Sequence, residues 1–139
     1  MDLAFLDYEI NTSATQQQAK RFLQKKLPRL ILLSGLNLVS LKSPSLSSVP
    51  TSKPVGNTNE ERIVRKLEAE RLVTAVVDAI SSCNEPSKTI LFGLYVKQLQ
   101  PWQVIANLGY SKTRFYQLKK QALLDFADAF VEVDLHVYK

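Results

Sequence analysis

The chain has 139 residues but only one cysteine, Cys83, and one histidine, His136. A lone cysteine excludes an internal disulfide framework and any multi-cysteine metal site. A Ser-His-Asp or Cys-His site built on His136 would need a residue next to the last few to reach a buried nucleophile, which argues against one. Only four glycines are present, and none form a glycine-rich phosphate loop. Long apolar runs are missing too. Leu30 to Leu33 is the longest, four residues, against the roughly 20 that a spanning helix needs. The segment Met1 to Asp7 is acidic and lacks the basic region and small-residue cleavage site of a secretion signal. The expected location is therefore the cytoplasm. With no nucleophile, metal cluster or convergent acid pair, neither an enzyme nor a cofactor is expected.

What is present is enough apolar material for a core, 45% of residues, and a net charge of +5. The charge is uneven. Residues 1–59 hold seven Lys/Arg and three Asp/Glu, so +4, whereas residues 60–139 hold eleven and ten, so +1. Two stretches carry bases and no acids. One contains Lys20, Arg21, Lys25, Lys26 and Arg29; the other contains Lys112, Arg114, Lys119 and Lys120. A basic helical stripe is the footprint of a polyanion binder, although a solvated helix face looks the same.

Periodicity predicts a mainly α-helical chain. Ser13-Ala14-Thr15-Gln16 fits a capping box ahead of Ala19, Phe22, Leu23 and Leu27 at helical spacing. Pro28 either ends that helix or opens its next turn. A stop is expected near Ser34-Gly35. Residues 43–59 hold three prolines, five serines and a glycine, the composition of an exposed linker. The division is thus 1–42, an N-terminal helical and assembly segment; 43–59, a linker; and 60–139, a helix-turn-helix domain with a C-terminal tail. Thr58 to Glu61 fits a second capping box, leading into a helix with Ile63, Leu67, Val73, Val76, Val77 and Ile80. Further helices are expected around Ile90 to Tyr95 and after Pro101, with Trp102 as a core anchor and Cys83 as a packed thiol. Val131 to Tyr138 alternates strictly, a strand signal. A strand pairing with Phe5 to Ile10 or across a dimer axis stands against a frayed tail.

Residues 100–122 read as helix, tight turn, helix, with Gly109 permitting the turn and Ser111 capping the second helix. At about 100° per residue, Phe115, Leu118, Ala122, Phe126 and Ala129 share one face. Thr113, Gln117 and Lys120 lie opposite, with Arg114 and Gln121 on a flank. Lys112 and Lys119 lie nearer the core side. Leu124 lies near the polar pole and needs a cover. Arg suits guanine, Gln suits adenine and Lys suits phosphate. An ordinary amphipathic helix would show the same wheel; the preceding turn favours DNA reading.

The chain resembles the ArpU-type (autolysin regulatory protein) family of phage and prophage transcriptional regulators of Gram-positive bacteria. The resemblance rests on Arg21 to Leu30 with Ser34-Gly35, on Leu41 to Pro44, and on Glu60 to Leu67. It is strongest in Ile90 to Tyr95, Leu108 to Tyr116 and Ala122 to Ala127. It implies control of phage late genes in a bacterial host cell and a C-terminal domain similar to region four of sigma factors. It also implies a recognition helix carrying Ser111, Lys112, Thr113, Arg114, Tyr116, Gln117 and Lys120.

The expected partner is double-stranded DNA, contacted by these residues and Gln121. Lys20, Arg21, Lys25 and Lys26 are candidate phosphate contacts. A domain this small reads few base pairs, so a homo-oligomer on repeated half-sites is expected. The rivals are a module docking RNA polymerase or a sigma factor, and a terminase-small-subunit-like packaging protein.

Overall fold

The computed structural model describes residues 9–36 and 57–139. The expected linker residues 43–56 and the Phe5 to Tyr8 part of the expected strand partner lie outside them. The described chain is mainly helical. Its order is α1 (Thr12–Arg21), a π-helical turn π1 (Phe22–Lys26), α2 (Leu27–Ser34), α3 (Asn57–Ser81), α4 (Glu85–Leu91), a second π-helical turn π2 (Phe92–Val96), α5 (Pro101–Leu108) and α6 (Lys112–Ala129).

Local chemistry accounts for most helix ends. Asn11, in extended backbone, caps α1, its side-chain oxygen accepting from Ala14 N–H at 3.1 Å. The cap is therefore not Ser13 as the sequence suggested, because the helix starts two residues earlier than a Ser13 cap implies, at Thr12. Likewise Thr58 does not open α3, which already includes Asn57. Nothing in Asn57-Thr58-Asn59 interrupts a helix, so the start moves back. Pro28 neither ends the helix nor breaks it. The widened turn π1, closed by Leu27 N–H on the Phe22 carbonyl, lies just before it and absorbs its missing donor. Gly35, with φ of 72°, stops α2. Asn84 caps α4 through Ser87 N–H at 3.0 Å.

Two cores result. The larger joins Leu23 and Leu27 to Val73, Val76 and Ile80 of α3 and to Phe126 of α6. The rings of Phe22, Phe126 and Phe130 cluster there, Phe126 stacked on Phe130 with centroids 5.3 Å apart and Phe22 tilted against Phe130 at 5.1 Å. The N-terminal helices thus share their core with the C-terminal ones. α1 also packs along α6, and Leu124 is half-buried. The smaller core is Ile90, Val104 and Phe115, one residue each from α4, α5 and α6. Gly93 permits the close approach of π2 to α5: a Cβ there would stand 2.8 Å from Val104 Cγ2.

Trp102 is not a core anchor. It is 69% exposed, whereas Val104 is buried. Pro101 starts the helix and sets its phase, and two residues at about 100° each place Trp102 on the far side from Val104. Cys83 is half-buried, its thiol 3.5 Å from the Ala79 carbonyl and pushed up by burial.

The alternating tail forms no strand among the described residues, only an isolated antiparallel bridge between Ile10 and Tyr138. Asn11 N–H donates to the Val137 carbonyl at 2.7 Å, and Val137 N–H donates to Thr15 Oγ at 3.0 Å. Only Leu135 enters the core; Val131 and Val133 stay exposed. Asp134 interrupts the extended run by accepting from His136 N–H at 3.0 Å. That local turn explains why alternation did not become a ladder.

Candidate nucleic-acid interface

The second half of the chain builds one polar face from three local devices. At the start of α5, Gln100 N–H donates to Gln103 Oε1 at 2.9 Å and Pro101 fills the first helical position. At its end, Gly109 takes φ of 74°. Ser111 then caps α6, its hydroxyl accepting from Arg114 N–H at 3.1 Å. The two helices are therefore joined by residues 109–111 alone. Phe115, fully buried against Ile90 and Val104, fixes how α6 sits on α4 and α5. Burying a side chain of that size contributes about 1.5–3 kcal/mol.

With Phe115 inward, the residues around it are forced outward. Ser111, Lys112, Thr113, Arg114, Tyr116, Gln117, Lys120 and Gln121 are all exposed. Lys112, expected nearer the core side, is also exposed because it is the first residue of α6. No acid lies in residues 111–121. Arg114 Nη1 lies 3.4 Å from Gln117 Oε1, one turn along the helix. Gln121 is held differently: its amide donates to Asp125 at 2.9 Å, toward the C-terminal end. Tyr116 leans its edge on Phe115, with centroids 5.1 Å apart.

Lys119 is half-buried, its ammonium 5.7 Å from the centre of the Tyr116 ring. Burial lowers its pKa, and the nearby charge of Lys20 lowers it further. Lys20 thus reaches α6 from α1, half-buried, whereas Arg21, Lys25 and Lys26 are exposed on α1 and π1. Sequence reasoning put these two basic stretches side by side only as a list of charges. Residues 99 positions apart in the chain (119 − 20) have no shared periodicity that would reveal their meeting. Exposed Tyr110, in the turn, also went unread.

Among the described residues no group of three or more His, Cys, Asp or Glu side chains could hold a metal ion, and no helix is long and apolar enough to cross a membrane.

Comparison with known proteins gives two findings. The chain is similar to an Enterococcus hirae protein named "Putative autolysin regulatory protein ArpU", 26% identical over 133 residues, which span 94% of this chain and 96% of that one. The resemblance carried by Leu108 to Tyr116 and Ala122 to Ala127 therefore extends over most of the chain. No solved structure matches it. The second finding is a family model that covers residues 47–127, from before α3 to near the end of α6, and so takes in all three residues of the small core that mounts the polar face. By that match over more than half its length, the chain belongs to the family described as "Protein of unknown function (DUF1492)".

Proposed function

We propose that the protein is a sequence-specific, double-stranded DNA-binding transcriptional regulator that works by binding alone. The observation that carries this reading is the exposed, acid-free first half of α6, raised on the Ile90–Val104–Phe115 core immediately after a tight turn. A helix presented in this way enters the major groove of DNA by its N-terminal half. Arg114 and Gln117 are the base readers, since their forked ends match guanine and adenine edges. Ser111, Lys112, Thr113, Tyr116, Lys120 and Gln121 contact bases or backbone around them. Lys20, Arg21, Lys25 and Lys26 neutralise phosphates. The name of the Enterococcus hirae relative speaks of regulation, and the resemblance to ArpU-type regulators points to phage late genes, those for packaging, morphogenesis and lysis. One reading helix covers only a few base pairs, so the reading includes a homo-oligomer on repeated half-sites in the bacterial cytoplasm.

A second reading is a module that docks RNA polymerase or a sigma factor. The 69% exposure of Trp102, on the helix before α6, favours it, because tryptophan is enriched at protein-interface hot spots.

Fluorescence anisotropy with promoter-region DNA of the source genome, against a shuffled duplex at two salt concentrations, separates the two. DNA reading predicts preference for the native duplex at the higher salt, and loss of that preference in an Arg114→Ala, Gln117→Ala double variant. Equal binding to both duplexes, unchanged in the variant, would refute it and favour the protein partner.

A further inference from the structure

Between α1 and α6 runs a groove of about 370 Å³. Its walls carry Lys20 and Gln17 from α1 and Tyr116, Lys119 and Lys120 from α6. Three ammonium groups therefore face one depression. Among the described residues none of them is ion-paired: the pairs present join Arg71 to Glu68 and Glu132, Lys88 to Glu85, and His136 to Asp128 and Asp134. The arrangement is held in place. Gln16 on α1 donates its side-chain amide to the Lys120 carbonyl at 3.2 Å, pinning the two helices across the groove. Lys119 has little room to swing away, being half-buried beside the Tyr116 ring.

Like charges held together without a counter-ion are electrostatically unfavourable in the free protein. An anion in the groove relieves that repulsion, and a partly desolvated ammonium binds it more strongly than one in water. Tyr116 and Lys120 belong both to the groove and to the exposed face of α6. An anion seated there therefore lies beside whatever that face reads. We infer that the α1–α6 groove is a phosphate seat, in which Lys20, Lys119 and Lys120 clamp a backbone phosphate of the duplex whose bases meet α6. This rests on the DNA-binding reading above and extends it. The N-terminal helix becomes part of the DNA surface, and Lys119, turned from the bases, becomes a backbone contact. Phosphate contacts fix register on the duplex while leaving sequence preference to the base readers.

The test is the salt dependence of affinity. Displacing counterions from one phosphate changes the slope of log K against log salt by about 0.9 for B-form DNA. Lys20→Gln and Lys119→Gln are each expected to flatten the slope by part of that amount, and the double variant by most of it, all keeping the native-over-shuffled preference. Arg65→Gln makes the same charge change at an exposed site on α3 outside the groove, and is expected to leave the slope alone. Thermal melts of each variant check that the fold survives; Lys20→Gln, on the rim, stands in should Lys119→Gln unfold. Unchanged slopes in folded Lys20→Gln and Lys119→Gln, with the wild type still preferring the native duplex, would overturn the groove and spare the reading helix. An equal flattening in Arg65→Gln would overturn it as well, as an effect of net charge. A wild type that binds no duplex would overturn both readings together.

Discussion

The two acid-free basic stretches of this protein have been put to different structural uses. In Lys20 to Arg29 the backbone widens into the turn π1, and Phe22, Leu23 and Leu27 are drawn into the large core. Its cations are spread around the helix, with Lys20 against α6 and the others in solvent. In Ser111 to Gln121 the helix is regular, a single large residue, Phe115, is buried, and eight polar or aromatic neighbours share the outside. The difference teaches that basic content alone does not make a continuous exposed polar face. An exposed polar face needs few buried residues among its neighbours, and the second stretch buries one large residue where the first has three drawn inward.

Removing that anchor is the strongest way to break the comparison. Phe115→Ala leaves a cavity against Ile90 and Val104, and is expected to cost about 3–5 kcal/mol in urea unfolding. DNA affinity should fall with it. Leu27→Ala, which loosens the first stretch, should cost about 2–5 kcal/mol yet keep sequence preference at temperatures where the variant stays folded. Equal loss of preference in both would mean that the two stretches read DNA as one unit.

A smaller effect sharpens the same point. Ser111→Ala removes the cap on Arg114 N–H and is expected to cost about 1 kcal/mol, read from the shift in the urea midpoint. Because the frayed turn would be the one bearing Thr113 and Arg114, affinity should drop further than stability alone predicts. If affinity held while the midpoint moved, the first turn of α6 would be a scaffold and not a reader.

The smallest expected effect lies where the two regions are tied together at the tail. His136 Nε2 lies 2.7 Å from Asp128 on α6, and Nδ1 lies 2.8 Å from Asp134. Tyr138 donates to the other Asp134 oxygen at 2.7 Å. Asp128 first, then Asp134, raises the His136 pKa above its ordinary 6.5. A raised folded value means the protonated ring stabilises the fold. That stability is complete below the unfolded value and is lost as pH rises through the folded one. Asp134 is held below its ordinary 3.8 by Tyr138 and His136, so its contribution fails on the acid side. Melting temperature should therefore drop as pH rises above about 6.5 in the wild type, and less so in His136→Asn. Identical pH profiles would show that the tail is held without the charged ring, by Leu135 and its hydrogen bonds to Asn11 and Thr15.

Much of the α6 face was legible because its determinants are local. Pro101, Gly109 and Ser111 act within four residues of themselves through fixed φ, left-handed backbone and a capping oxygen, and each sits where the pattern put it. The buried face of α6 was legible for the same reason, since Phe115, Ala122 and Phe126 recur at helical period. Local signals misled where two choices were equally good nearby, as with Asn11 and Ser13 as caps. They also mislead where the phase of a short helix is open: the sequence reads Trp102 as a core anchor, but Val104 holds the inward phase. In the tail the alternation was real, yet a strand needs a partner along its length, and among the described residues only Ile10 pairs with it.

The sequence by itself determined the helices, most of their stops and the composition of the α6 face, because hydrogen bonds and steric limits between near neighbours decide those. Only the tertiary structure decided that α1 lies along α6, that Lys20 meets Lys119, that Trp102 faces outward and that His136 bridges two carboxylates. These depend on which apolar surfaces cover each other. That choice is made by whole helix faces burying area together, over chain separations at which no periodicity survives.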